Sequence, residues 1–277
     1  QRIGKYNIGI TAGMETTLIS PEWIEGCNRM DLIIVPSEHS KRTFLASKWD
    51  KHDQKTKEKV GEIKIERPVE VLFEGVHEEI YKKIKDIPTE INDKINSIEE
   101  PFAFLYVGHW LRGKIGEDRK DTGMLVKVFL ETFKNKKNPP ALIMKTSSAT
   151  FSIMDRDDIL NRIEQIKKSI DGAKKLPPIY LLHGNLTDEE MNGLYNHPKI
   201  KSVVSFTKGE GFGRPLLEAS MVDLPILAPG WSGQLDFLNP DMSLLLPGDL
   251  VNVPESILWD NIIIKESKWV EITEDIG

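Results

Sequence analysis

With a single cysteine, Cys27, among 277 residues, the chain can form no internal disulfide and fits a reducing compartment. No apolar run approaches the roughly 18 residues that a membrane span needs. Positive charge is in the minority, 37 Lys and Arg against 43 Asp and Glu. The net charge of −6 argues against a nucleic-acid backbone as the main partner. The six histidines fall at no metal-ligand spacing. No G-x-G-x-x-G follows an early strand, which weighs against a dinucleotide-dependent oxidoreductase. No secretory leader, internal repeat or low-complexity segment is evident, so a cytoplasmic protein, or one peripheral to a membrane, is expected. The acceptor-like "NLT" at Asn185 is then a chance match.

What remains is an ordinary globular composition, 39% hydrophobic and 29% charged. Apolar runs and amphipathic stretches alternate along it. Strands are expected over 6–11, 31–37, 69–76, 102–108, 141–147, 178–184, 200–206, 224–229 and 243–248. Helices are expected over 20–30, 37–49, 122–136, 155–170, 187–197 and from about Pro215, with a short helical turn over 77–84. Ser20, Ser37 and Thr187 stand at N-cap positions, the last with Glu190 completing a capping box. The charged stretch 52–62 reads as exposed. The polar stretch 85–100, bounded by Pro88 and Pro101, reads as a linker, dividing the chain into residues 1–97 and 98–277. Alternating strand and helix imply an α/β fold with parallel sheets, whose ligands bind beyond the carboxyl ends of the strands.

One such end carries "KGEGFGRPLLEAS", residues 208–220. Glycines at 209, 211 and 213 allow a close backbone approach, and Pro215 suits a first helical turn. Helix N-termini attract phosphate, so Gly211 and Gly213 can seat a diphosphate. Glu210 and Glu218 flank that cradle, and carboxylates suit sugar hydroxyls better than phosphate. The order that results is sugar on Glu210, diphosphate on the glycines and ribose on Glu218. Negative charge grows on a departing diphosphate, so nearby cations are expected. "DRD" at 155–157 resembles a metal-binding pair, yet it opens a helix, where acids cap the backbone.

"EGFGRPLLEAS…LPILAP" resembles the E-x7-E region of the group 1, family-four glycosyltransferases. "YVG…DRKDTGMLVKVF", "YLLHGNLTDEEMNGLYNHP" and "GMETTLISPEWIEGCNRMDLIIVPSEHSKRTF" resemble other parts of the same family. The resemblance implies a GT-B-like fold of two Rossmann-like domains. Residues 98–277 would be the nucleotide-sugar donor domain and 1–97 a partial, truncated acceptor domain. It implies a retaining enzyme of the hexosyltransferase type that takes a sugar from a UDP- or GDP-linked donor without a metal or other cofactor. The acceptor, whether saccharide, lipid or other, is left open. On this resemblance Glu210, Lys120 and Arg112 are the catalytic candidates, with Lys114 or Arg119 as alternatives to Arg112. Gly108, His183, Gly209, Gly211, Phe212, Gly213, Arg214 and Glu218 are the donor-binding candidates. His109 and Glu15 are expected at the cleft and His39 at the surface. A non-catalytic nucleotide-sugar-binding protein and a nucleotide-sugar epimerase are the alternative functions.

Overall fold

The computed structural model describes residues 4–53, 55–111, 113–148 and 150–272. The first half holds β1 (Ile8–Ile10), α1 (Pro21–Asn28), β2 (Leu32–Val35), α2 (Glu38–Ala46), β3 (Lys48–His52), β4 (Lys59–Lys64) and β5 (Val69–Val71). Strands β1, β2 and β5 form a three-stranded parallel sheet in the order β1-β2-β5. Helices α1 and α2 start where expected, because the Ser20 and Ser37 hydroxyls accept from the amides of Trp23 and Ser40. They bury Ile24 and Phe44 with Ile33 and Val35 of β2.

The second half holds α3 (Thr89–Asn96), β6 (Ala103–His109), α4 (Thr122–Phe133), β7 (Ala141–Ser147), α5 (Ile153–Lys168), β8 (Ile179–Leu182), α6 (Asp188–Asn196), β9 (Ile200–Val204), α7 (Arg214–Ser220), β10 (Ile226–Pro229), β11 (Ser243–Leu246), β12 (Asp249–Asn252) and β13 (Lys268–Glu271). Six of these strands form a parallel sheet in the order β11-β10-β9-β6-β7-β8. The continuous apolar runs are explained by a core on each face. Ala103, Leu105, Ala141 and Ile143 enter one core, with residues of α3, α6 and α7. Tyr106, Leu142 and Met144, which alternate with them along the strands, enter the other, with α4 and α5.

Segment 77–84 holds the expected single turn, closed by Tyr81 N–H on the His77 carbonyl. Three other features differ from expectation. The polar stretch 85–100 contains α3, whose Ile91 and Ile95, one turn apart, pack into the core beside Leu194 and Ala103. Helix α2 stops at Ala46, because Lys48–His52 leaves to pair with Lys59–Lys64 as an antiparallel hairpin. β12 and β13 form a second hairpin, unforeseen, whose Lys268 exchanges hydrogen bonds with Thr17 of the first half.

Candidate functional site

The carboxyl ends of β6, β7 and β9 open on a cavity of about 410 Å³, walled on its far side by Ala12 and Glu15 from the loop after β1. That size suits a small-molecule ligand. Lys208 N–H donates to the Arg119 carbonyl at 2.7 Å, joining residues 113–121 before α4 to the loop after β9.

Glu210 is the centre of the site. Its Oε1 accepts from the Lys120 ammonium and from the Thr207 hydroxyl, the latter at 2.7 Å. Its Oε2 lies 3.3 Å from the Arg119 guanidinium, which also meets Glu15 at 3.4 Å and the Gly209 carbonyl at 2.8 Å. The Glu210 side chain is only 13% exposed. Burial pushes its carboxyl up, but Lys120 and Arg119 outweigh burial and hold it at about 2. Burial, with Arg119 beside it, draws the Lys120 ammonium below the usual lysine range despite Glu210. The backbone is fixed as well. Glu210 N–H donates to Ser232 Oγ at 2.9 Å, and its carbonyl accepts from Gly233. Ser232 holds φ 75° and ψ −159°, a region that costs a side chain about 1–3 kcal/mol. Strain of this kind collects where a site over-determines its backbone.

The glycines fall where expected, and two of them admit a close approach from within the chain. A Cβ on Gly209 would strike the Glu15 carbonyl, and one on Gly211 the Ala12 carbonyl, both well inside 3.0 Å. The 12–15 loop therefore packs directly on the backbone of Gly209 and Gly211, and Gly211 also faces the cavity. Ser37 Oγ secures it by donating to the Gly211 carbonyl at 2.6 Å. Gly213 is needed for its backbone, with φ 101° at the start of α7. Phe212 buries its ring against Phe73 and Phe237, at centroid distances of 4.8 and 5.4 Å, and so anchors the loop.

The remaining candidates divide. Gly108, His109 and Arg214 line the cavity, as do Lys120 and residues 210–213. Arg112 lies outside the described residues. Of its alternatives, Arg119 reaches Glu210, whereas Lys114 is exposed. Glu218 is not among the cavity-lining residues. Its carboxylate, 9% exposed, accepts from Tyr195 at 3.2 Å and from Arg214 at 3.3 Å, and Arg214 stands in front of it. Burial raises its carboxyl above the usual range. His183 also stands one layer back, its Nε2 2.9 Å from Asp155. Asp155 takes the Ser148 amide and hydroxyl in the first turn of α5, where Ser152 is the N-cap. Among the described residues no group of three or more His, Cys, Asp or Glu is placed to hold a metal. His39 is buried rather than at the surface, 4.7 Å from the Trp231 ring, and burial lowers it to about 4.

At the β7 end, sequence reasoning weighed Lys145 as one of several cations but passed over Thr146 and Ser147. Lys145, Thr146 and Ser147 line the cavity opposite Glu210, with Phe151 beyond them. The Lys145 ammonium donates to the Gly184 carbonyl at 2.7 Å and lies 5.6 Å from the Phe151 ring centre. Thr146 Oγ1 is buried without a partner among the described residues. The signal was available, since three polar residues follow the apolar "ALIM" at a ligand-facing strand end.

Comparison with protein-family models and with curated proteins yields no match. Among solved structures, the chain is similar to a glycosyltransferase from Rickettsia africae, at 16% identity and a TM-score of 0.57, over 87% of this chain and 56% of that one. It is similar to sucrose-phosphate synthase from Thermosynechococcus elongatus, at 15% identity and a TM-score of 0.55, over 81% of this chain and 47% of that one. It is also similar to HepE from Anabaena in complex with UDP and glucose, at 14% identity and a TM-score of 0.53, over 84% and 55%. The chain thus spans about half the length of these structures. At such identities the likeness is one of fold: the chain has an α/β, GT-B-like architecture, with a six-stranded parallel sheet flanked by helices beside a smaller parallel sheet.

Proposed function

We propose that the protein is a glycosyltransferase that moves a sugar from a nucleotide-diphosphate sugar to an acceptor without a bound metal. The observation that carries this reading is the Glu210 cluster: one buried carboxylate clamped by Lys120 and Arg119 on the wall of a cavity at the strand ends. Lys120 and Arg119 neutralise Glu210. A diphosphate arriving beside Lys120 competes for them and frees Glu210 for the hydroxyls of the transferred sugar. Charge then grows on the leaving oxygen as the glycosidic bond breaks, next to cations already in place. Burial strengthens that interaction.

The donor lies along the second sheet, with its sugar toward Glu210 and its base toward β7. Parallel strands stand about 4.8 Å apart, so β9 and β7, two strands apart across β6, provide about 10 Å for the diphosphate and ribose. Lys145 offers donors to a carbonyl-bearing base, which favours UDP- or GDP-linked sugars, and Phe151 offers a ring face. Glu218 meets the ribose once Arg214 moves aside. The acceptor approaches from the first half, past Glu15 and Glu74. The departing phosphate takes the acceptor proton on the same face, so configuration is retained. Retention rests on the family resemblance.

A thermal-shift panel of UDP-, GDP- and ADP-sugars tests the reading, since a ligand of the folded state adds about 2.7 kcal/mol at a hundredfold excess over Kd. A rise in midpoint with a UDP- or GDP-sugar is expected, followed by transfer to an acceptor from a saccharide and lipid set. No shift with any of them at millimolar concentration would contradict it. Binding without transfer would favour a nucleotide-sugar-binding protein, and an altered sugar with donor alone would indicate an epimerase.

A further inference from the structure

Two residues before Glu210 stands Lys208, a lysine only 1% exposed. Its ammonium lies 2.9 Å from Glu271 Oε1, 3.3 Å from Asp121 Oδ2 and 5.7 Å from the centre of the Trp269 ring. Its backbone joins two further segments, donating to the Arg119 carbonyl and accepting from Val270 N–H at 3.0 Å. None of Lys208, Asp118, Asp121 and Glu271 lines the cavity. Residues 118–121 read Asp-Arg-Lys-Asp, and they divide front from back. Arg119 and Lys120 meet Glu210, whereas Asp118 and Asp121 are buried on the Lys208 side.

We propose that Lys208 is a positioning residue: through its ion pair with Asp121 and its hydrogen bond to Arg119, it holds the Arg119–Lys120 pair against Glu210. This rests on the glycosyltransferase reading above. A buried ammonium needs partners, and without it two buried acids would face each other unpaired. Among the described residues, the charged groups around Lys208 are Asp118 and Asp121 from the 118–121 segment and Glu271 from β13. The amides of Lys120 and Thr122 face Asp118, and that of Gly116 faces Asp121. Burial raises Asp118 to about 7, with Asp121 adding to it, and burial raises Asp121 to about 6 against the pull of Lys208. As pH falls through this range the acids take up protons, the Asp121–Lys208 ion pair is lost, and the segment carrying both cations loosens. Turnover therefore has an acid limb set behind the site rather than in it.

The test follows release of UDP from UDP-glucose and of GDP from GDP-glucose, with water as acceptor, across pH 5–9. It is run for the whole chain and its Lys208→Met, Lys208→Arg and Asp121→Asn variants. Lys208→Met should lower kcat by about ten- to a hundredfold, the scale of a misplacement of about 1 Å. It should change donor KM less and move the acid limb to higher pH. Lys208→Arg should restore the limb, and Asp121→Asn should flatten it. Amide hydrogen exchange over residues 118–121 should rise in Lys208→Met beyond any global loss of stability. A uniform fall in rate with an unmoved limb and unchanged exchange would overturn the positioning role and leave the glycosyltransferase reading standing. Should the wild type turn over neither nucleotide sugar, that reading falls, and unchanged exchange over 118–121 would then overturn the positioning role on its own.

Discussion

Replacing Glu210 by glutamine removes the charge at the centre of the site and keeps its shape. In the folded chain its carboxyl is held at about 2, against 4.5 for an ordinary glutamate. The difference, at about 1.4 kcal/mol per pH unit, amounts to about 3 kcal/mol of stability. At 13% exposure the side chain loses little of this to solvent screening. Its sign is fixed by the direction of the shift. A carboxylate with a lowered folded value stabilises the protein above the unfolded value and loses that contribution as pH falls from about 4.5 to about 2. Urea unfolding at neutral pH should therefore show Glu210→Gln less stable by about 3 kcal/mol, within the range for breaking a buried ion pair. The gap should narrow as both proteins are taken below about pH 4. The variant also frees Lys120 and Arg119, so it should bind UDP more tightly while transfer falls at least a hundredfold. A gap under about 1 kcal/mol at neutral pH, or one that does not change with acid, would refute the electrostatic account of the cluster.

Gly209→Ala places a methyl group on the Glu15 backbone carbonyl, so a lowered thermal midpoint and a separated 12–15 loop are expected, measured by calorimetry and amide exchange. Lys145→Met should weaken UDP and GDP by about tenfold in titration calorimetry, the scale of one charged hydrogen bond, and leave ADP unchanged. Glu218→Gln should weaken UDP but not 2′-deoxy-UDP, and equal losses for both would remove Glu218 from the ribose.

The second half was legible because its strands are buried on both faces. Such strands appear as unbroken apolar runs, and β6 and β7 fall within a residue or so of expectation. Capping was legible too, down to the reciprocal Thr187–Glu190 pair at α6. The hairpins were not. β3 and β4 are mostly exposed, and only Trp49 and Ile63 turn inward, an alternation hidden among lysines. Helix α3 was masked by polar neighbours around its two isoleucines. At the site, the positions of Gly209 and Gly211 were legible but the 12–15 loop packed on them was not, since it lies almost two hundred positions away. Arg119 had been one of several nearby cations, and only the fold decides which of them meets Glu210.

The central claim is that Glu210, Lys120 and Arg119 form the sugar and phosphate end of a nucleotide-sugar site. A crystal structure with UDP-glucose or GDP-glucose bound tests it most directly. The account predicts diphosphate oxygens within hydrogen-bonding distance of Lys120 and Arg119, with a sugar hydroxyl on the Glu210 carboxylate. A nucleotide sugar seated elsewhere, with Glu210 still clamped by both cations, would contradict it.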